Sequence, residues 1–201
     1  MSRPLRILLL TTTILCLLAP PVDATGRKQV DRTLADLWTT VLETPASQNP
    51  FGSGDDTCFE LRGNVVAPFG PFTNPPDSCT VKHGTRIFVA ASSVECSTFP
   101  GDSPGMNATE AELRACAEES DAIVPKVTVD GQPVVVAEAE TGLMSIHLPE
   151  ANIFGLSGQA RYGQSVAHGW VVPLRHFKRG EHTIVIVTPG RDTVTTTIVA
   201  K

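Results

Sequence analysis

The chain has 201 residues, of which 41% are hydrophobic and 18% charged, and its net charge is −5. That size fits one domain, and the apolar content is enough to fill a core, which excludes a globally disordered chain. Acidic balance without a dense Lys/Arg cluster argues against a nucleic-acid partner.

The first 24 residues predict a signal peptide. Arg3 and Arg6 form a basic start, an apolar run covers residues 7–18, Pro20 and Pro21 break it, and Val22-Asp23-Ala24 offers small residues for cleavage. The run is too short for a transmembrane anchor, which needs roughly 20 apolar residues. Leu15 before Cys16 does not suit a lipoprotein motif. The expected mature chain is 25–201, a single secreted domain with no stable membrane anchor. It keeps four cysteines, Cys58, Cys79, Cys96 and Cys116. An even number in an exported chain reads as two disulfides. Three pairings are open; Cys58–Cys79 and Cys96–Cys116 close the shortest loops and are favoured. A Cys₄ zinc site is the weaker alternative, since no two of these cysteines are closely spaced.

Residues 28–43 carry Val30, Leu34, Leu37, Trp38, Val41 and Leu42 at helical spacing, with Asp31, Arg32 and Asp36 off that face, and Pro45 beyond. Trp38 is expected to dock on the core. Residues 44–57 read as a loop, in which Asp55 and Asp56 are solvated turn residues rather than calcium ligands. One strand is expected over 58–67, a Pro-rich loop over 68–76, and strands over 79–82 and 85–92 around the His83-Gly84 turn. Ile87 to Ala91 form a continuous apolar run, as in a strand covered on both faces.

Asn107-Ala108-Thr109 is a glycosylation sequon that a bacterial source would leave unused. Thr109 and Glu112 form a capping box for a helix over about 110–121 that carries Cys116. A hairpin turns at Asp130-Gly131 between strands 126–130 and 133–137. Further strands are expected over 143–148, 168–174, 181–188 and 193–199. Residues 149–167, rich in Gly, Ser, Ala and Gln, read as a long surface loop. The sum is a mainly β chain, a β-sandwich with two short helices: the N-terminal one and a disulfide-pinned one.

This order of motifs resembles a group of small secreted bacterial proteins with no assigned activity. The motifs are Trp38, Asn49-Pro50, Cys58, Cys79-Thr80-Val81, Ile87-Phe88-Val89, Cys96, the Thr109-capped helix and Asp130-Gly131. Gly169-Trp170, Pro173-Leu174 and Gly180-Glu181-His182-Thr183-Ile184 complete the set. The chain departs from that group in Phe59 to Gly63, where a Gln/Gly/Trp-containing strand is usual, and in Arg179, where Pro is usual. The resemblance implies export, disulfides and a β-rich fold, and it brings no catalytic residues.

Among the five histidines no nucleophile elbow, zinc helix or phosphate loop is found, and no cofactor or metal is implied. The one local polar cluster is Arg175, His176, Glu181 and His182. A hairpin turning at 177–180 would set His176 near Glu181 and Arg175 near His182, as ordinary cross-strand pairs or as a small metal or acid/base site. The aromatic residues are too few for a sugar platform. Phe69, Phe72 and Phe99 are expected either to fold onto the core or to form an exposed patch. The expected function is that of a secreted, non-enzymatic binding or interaction protein with an extracellular or cell-envelope partner. The alternatives are an extracytoplasmic hydrolase with a dispersed His/carboxylate site, or a metal- or carbohydrate-binding module.

Overall fold

The computed structural model describes residues 24–53, 57–70, 78–120, 122–175 and 177–201. The signal segment up to residue 23, Asp55, Asp56, Phe72 and His176 therefore lie outside the described residues. The chain is a mainly β sandwich of two sheets with helices added. Helix α1 (Ala24–Leu42) is followed by the single turn α2 (Pro50–Ser53), then β1 (Thr57–Leu61) and β2 (Val65–Phe69). Strands β3 (Ser78–Val81) and β4 (Arg86–Ser97) precede helix α3 (Glu110–Ser120). The rest is β5 (Lys126–Val129), β6 (Gln132–Val134), β7 (Ala137–Glu140), β8 (Met144–His147), β9 (Tyr162–Leu174), β10 (Gly180–Val187) and β11 (Val194–Ala200).

The first sheet runs β1-β2-β4-β9-β7, with β8 also on β9; the second runs β3-β11-β10-β5-β6. Their facing sides meet in a core of Ile87, Val89, Val172, Ile184 and Ile198, among others. Helix α1 covers the opposite side of the first sheet. Its predicted stripe, Val30, Leu34, Leu37, Trp38, Val41 and Leu42, is buried against Phe88, Ala139, Ala167 and Val171. Each such side chain removed from water contributes about 1.5–3 kcal/mol. Strand β4 is thus covered on both faces, Phe88 by α1 and Ile87 and Val89 by the second sheet.

Both expected disulfides are present. Cys58–Cys79 ties β1 to β3, and so one sheet to the other. Cys96–Cys116 pins α3 to the far end of β4, where Leu113, Ala117 and Val166 form a small core of their own. The capping box forms as the spacing predicts: Thr109 N–H donates to Glu112 Oε2 at 2.8 Å, and Glu112 N–H donates to Thr109 Oγ1 at 3.3 Å. The Asp130-Gly131 turn also forms, with both residues at positive φ.

Four expectations are corrected. The strand expected over 58–67 is two strands, because Gly63 and Asn64 both take positive φ and turn the chain back on itself. The strand expected over 85–92 continues to Ser97, and it forms no hairpin with β3, which lies in the other sheet. The loop expected over 149–167 ends at Arg161, and residues 162–167 begin β9. Its small residues serve close packing, since a Cβ on Gly163 would stand 2.6 Å from the Phe99 ring. Finally, three α-helices occur among the described residues, the additional one being the α2 turn, and α1 is long.

Candidate functional site

Asn49 explains why the Asn-Pro motif follows α1. Its amide donates to the carbonyl of Val41 at the helix end, and its Oδ1 accepts from Phe51 N–H at 2.9 Å. This swings Phe51 over Trp38, with the rings stacked at 6.3 Å, while Phe69 meets Trp38 edge-on at 5.4 Å. The Trp38 indole N–H donates to Ser93 Oγ at 2.8 Å, which fixes the ring on β4. Opposite Ser93 lies Gly169, where a Cβ would stand 2.6 Å from the Ser93 Cβ.

Beyond this aromatic group the first sheet opens. Strands β2 and β4 pair only from Val65 to Val66 against Arg86 and Ile87, and the pairing ends before Pro68, which has no N–H to contribute to a ladder. A register shift between Ala90 and Ser92 bends β4 at the same level. The opening continues into a partly enclosed cavity of about 450 Å³. Trp38, Phe51 and Phe69 form one wall; Ile184, Ile186 and Thr196 of the second sheet form another. Phe154 closes a third side. Its loop is held by Asn152, whose Oδ1 accepts from Phe154 N–H at 3.2 Å and Leu156 N–H at 3.0 Å.

Two neighbouring carboxyl groups, from β4 and the segment after it, stand on this largely apolar lining. Glu95 projects from β4 on the same side as Ser93, and Asp102 comes from the loop that follows β4. Ser165 Oγ donates to Glu95 Oε1, and Ser97 Oγ donates to Asp102 Oδ2; both serines are fully buried. Burial raises the Glu95 pKa to about 8, assisted by the charge of Asp102 and opposed by the two serine hydroxyls. Glu95 is therefore mostly a neutral acid at pH 7. Arg191 and Asp192, on the β10–β11 connection, complete the charged lining.

The cluster expected at the C-terminal turn is not assembled as a hairpin. Strands β9 and β10 belong to different sheets, so no register sets Arg175 against His182. Arg175 and Glu181 are exposed, and Glu181 pairs in register with Val199. His182 has Asp130 Oδ2 at 2.8 Å from Nδ1 and the Lys178 carbonyl at 3.0 Å from Nε2. Both partners accept hydrogen bonds, so the imidazolium form is favoured. The Asp130 hydrogen bond raises the His182 pKa, and the His182 hydrogen bond lowers that of Asp130. Asp130 Oδ1 also accepts from Thr183 N–H at 2.9 Å, which locks the hairpin turn to β10. This is a structural clasp, with a carboxylate on one ring nitrogen and a backbone carbonyl on the other.

Among the described residues no group of three or more His, Cys, Asp or Glu side chains is placed to hold a metal. Phe69 and Phe99 fold onto the core, and Tyr162 is exposed with its ring stacked on His147 at 4.2 Å. Glu95, Asp102 and Phe154 were not singled out by sequence; nothing in their immediate neighbours signals that they share a cavity.

No family model matches the chain, and no curated protein matches it. A solved structure with some likeness is the solution structure of amebosin, at 12% identity and a TM-score of 0.24, covering 68% of this chain and 96% of that one. A likeness of that degree carries no argument about fold or function.

Proposed function

We propose that the protein is a secreted, non-enzymatic binding protein whose ligand is a small, largely apolar molecule held in the cavity beside β4. The observation that carries this reading is the cavity itself: about 450 Å³, walled mostly by aromatic and aliphatic side chains, with a minority of polar and charged ones. Pockets of a few hundred cubic ångströms, with that mix of lining, are the usual form of small-molecule sites. The aromatic wall is braced by named hydrogen bonds, so the space does not depend on a side chain swinging aside. Binding of the neutral fluorescent probe N-phenyl-1-naphthylamine tests the reading. The intact chain is expected to enhance its emission saturably, and Ala91→Trp, which fills the cavity, is expected to abolish the enhancement while the protein still melts cooperatively. Equal enhancement by both proteins would reject the cavity as the binding site.

Two disulfides suggest an oxidising compartment, and among the described residues no helix is long and apolar enough to cross a membrane. We extend this to export by cleavage after Ala24, in keeping with the secreted bacterial group that the motifs resemble. The intact mass of exported protein should correspond to a chain starting at Thr25; a retained 1–24 segment would reject cleavage.

A further inference from the structure

We propose that the cavity selects an organic cation, a molecule with an apolar, ring-sized body and one protonated amine seated between Glu95 and Asp102. This rests on the reading of the cavity as a binding site and specifies its ligand. Among the described residues, the charged side chains on the lining are Glu95, Asp102 and Asp192 against the base Arg191. Glu95 and Asp102 come from consecutive segments, β4 and the loop after it, and each is held from behind by a buried serine hydroxyl. The serines orient the carboxyl groups without neutralising them. The same lining carries the rings of Trp38, Phe51, Phe69 and Phe154. Aromatic faces attract an ammonium group, and a paired carboxylate attracts it more strongly in a partly dehydrated space. The same lining repels an anionic headgroup. A divalent metal is poorly served, because among the described residues no three His, Cys, Asp or Glu side chains are grouped to hold one.

The proton count follows from the same arrangement. With the cavity empty near neutral pH, burial and the charge of Asp102 keep the proton on Glu95. An arriving ammonium replaces that proton as the partner of the carboxyl group, and the proton leaves to solvent. Affinity for the cation therefore rises as pH rises toward 8, and the heat of binding depends on the ionisation enthalpy of the buffer. The other ionisable groups on the lining, among the described residues, are Asp102, Asp192 and Arg191.

Calorimetric titration with three probes of one shape tests this: 1-naphthylmethylamine, 1-naphthalenemethanol and 1-naphthoate. The amine is expected to bind about tenfold or more tighter than the alcohol, and naphthoate weakest of the three. Amine binding is expected to release protons in proportion across buffers at pH 7. In Glu95→Gln and Asp102→Asn the amine should lose its advantage, to within about threefold of the alcohol, while alcohol binding is retained. Should Glu95→Gln fail to fold, Asp102→Asn carries the test alone. Equal binding of amine and alcohol by the unaltered protein would overturn the cation while leaving the cavity as a binding site. An amine preference that survives in the variants would overturn the roles of Glu95 and Asp102. No binding of any probe, N-phenyl-1-naphthylamine included, would overturn the cavity reading and this one with it.

Discussion

Glu95 and His182 make opposite use of their surroundings yet push stability in the same direction. Glu95 titrates near 4.5 when unfolded and near 8 when folded, so between those values the native state holds more protons than the unfolded one. Stability consequently falls as pH rises from about 4.5 to about 8, by on the order of a few kcal/mol. His182 has its pKa raised above 6.5, so its contribution is complete below 6.5 and is lost as pH rises through the folded value. Asp130, with its pKa lowered from 3.8, contributes fully above 3.8 and loses that contribution as pH falls through the folded value. Urea denaturation across pH should therefore show greatest stability at mildly acidic pH. In Glu95→Gln the decline between pH 5 and 6.5 should vanish, and the remaining decline above 6.5 should vanish in turn with His182→Ala. An unchanged pH profile in Glu95→Gln would show that its carboxyl group is not held neutral. His182→Ala itself is expected to cost about 1 kcal/mol at pH 6, since Asp130 is half exposed and still accepts from Thr183.

Strand β10 shows what an element does and does not reveal of itself. Its run of Ile and Val predicts a central strand, and it is central, between β11 and β5. The same run predicts burial of both faces, and that is not what the fold does. Ile184 is fully buried, while Thr183 and Val187 on the other face are exposed. β-branched residues suit any pleated strand, so their presence does not distinguish a covered face from an open one. The buried stripe of helix α1 was legible because a 3.6-residue period marks one face only, while its start at Ala24 was not. The 162–167 part of β9 was not, because Gly163 and Ser165 imitate a loop while serving contacts with Phe99 and Glu95. The two isoleucines of β10 consequently have different weights. Ile184→Ala should cost about 2–5 kcal/mol, and Ile186→Ala about 1–2 kcal/mol, because Ile186 is half-buried on a cavity wall that is already open. Denaturant midpoints at constant slope measure both; equal losses would contradict the placement of the cavity beside Ile186.

At the scale of the molecule, the cysteine framework was readable because loop length limits which thiols meet, and the β class because short apolar runs alternate with turns. The cavity was not readable, since its walls come from α1, the α2 turn, the end of β2, the edge of β4, the loop carrying Phe154, and the second sheet. No sequence pattern records that Pro68 ends one strand pairing just where the chain bends at Ala90. The chain has two tryptophans, and only Trp38 lines the cavity. Its indole N–H and that of Trp170 give two side-chain signals in a nitrogen–proton correlation spectrum, one a probe of the site and the other its internal control. Titration with 1-naphthylmethylamine at pH 7 is predicted to move the Trp38 signal saturably, with the backbone amides of residues 89–95, and to leave the Trp170 indole in place. Saturable shifts confined to other surfaces, with the Trp38 indole unmoved, would contradict the assignment of the cavity as the binding site.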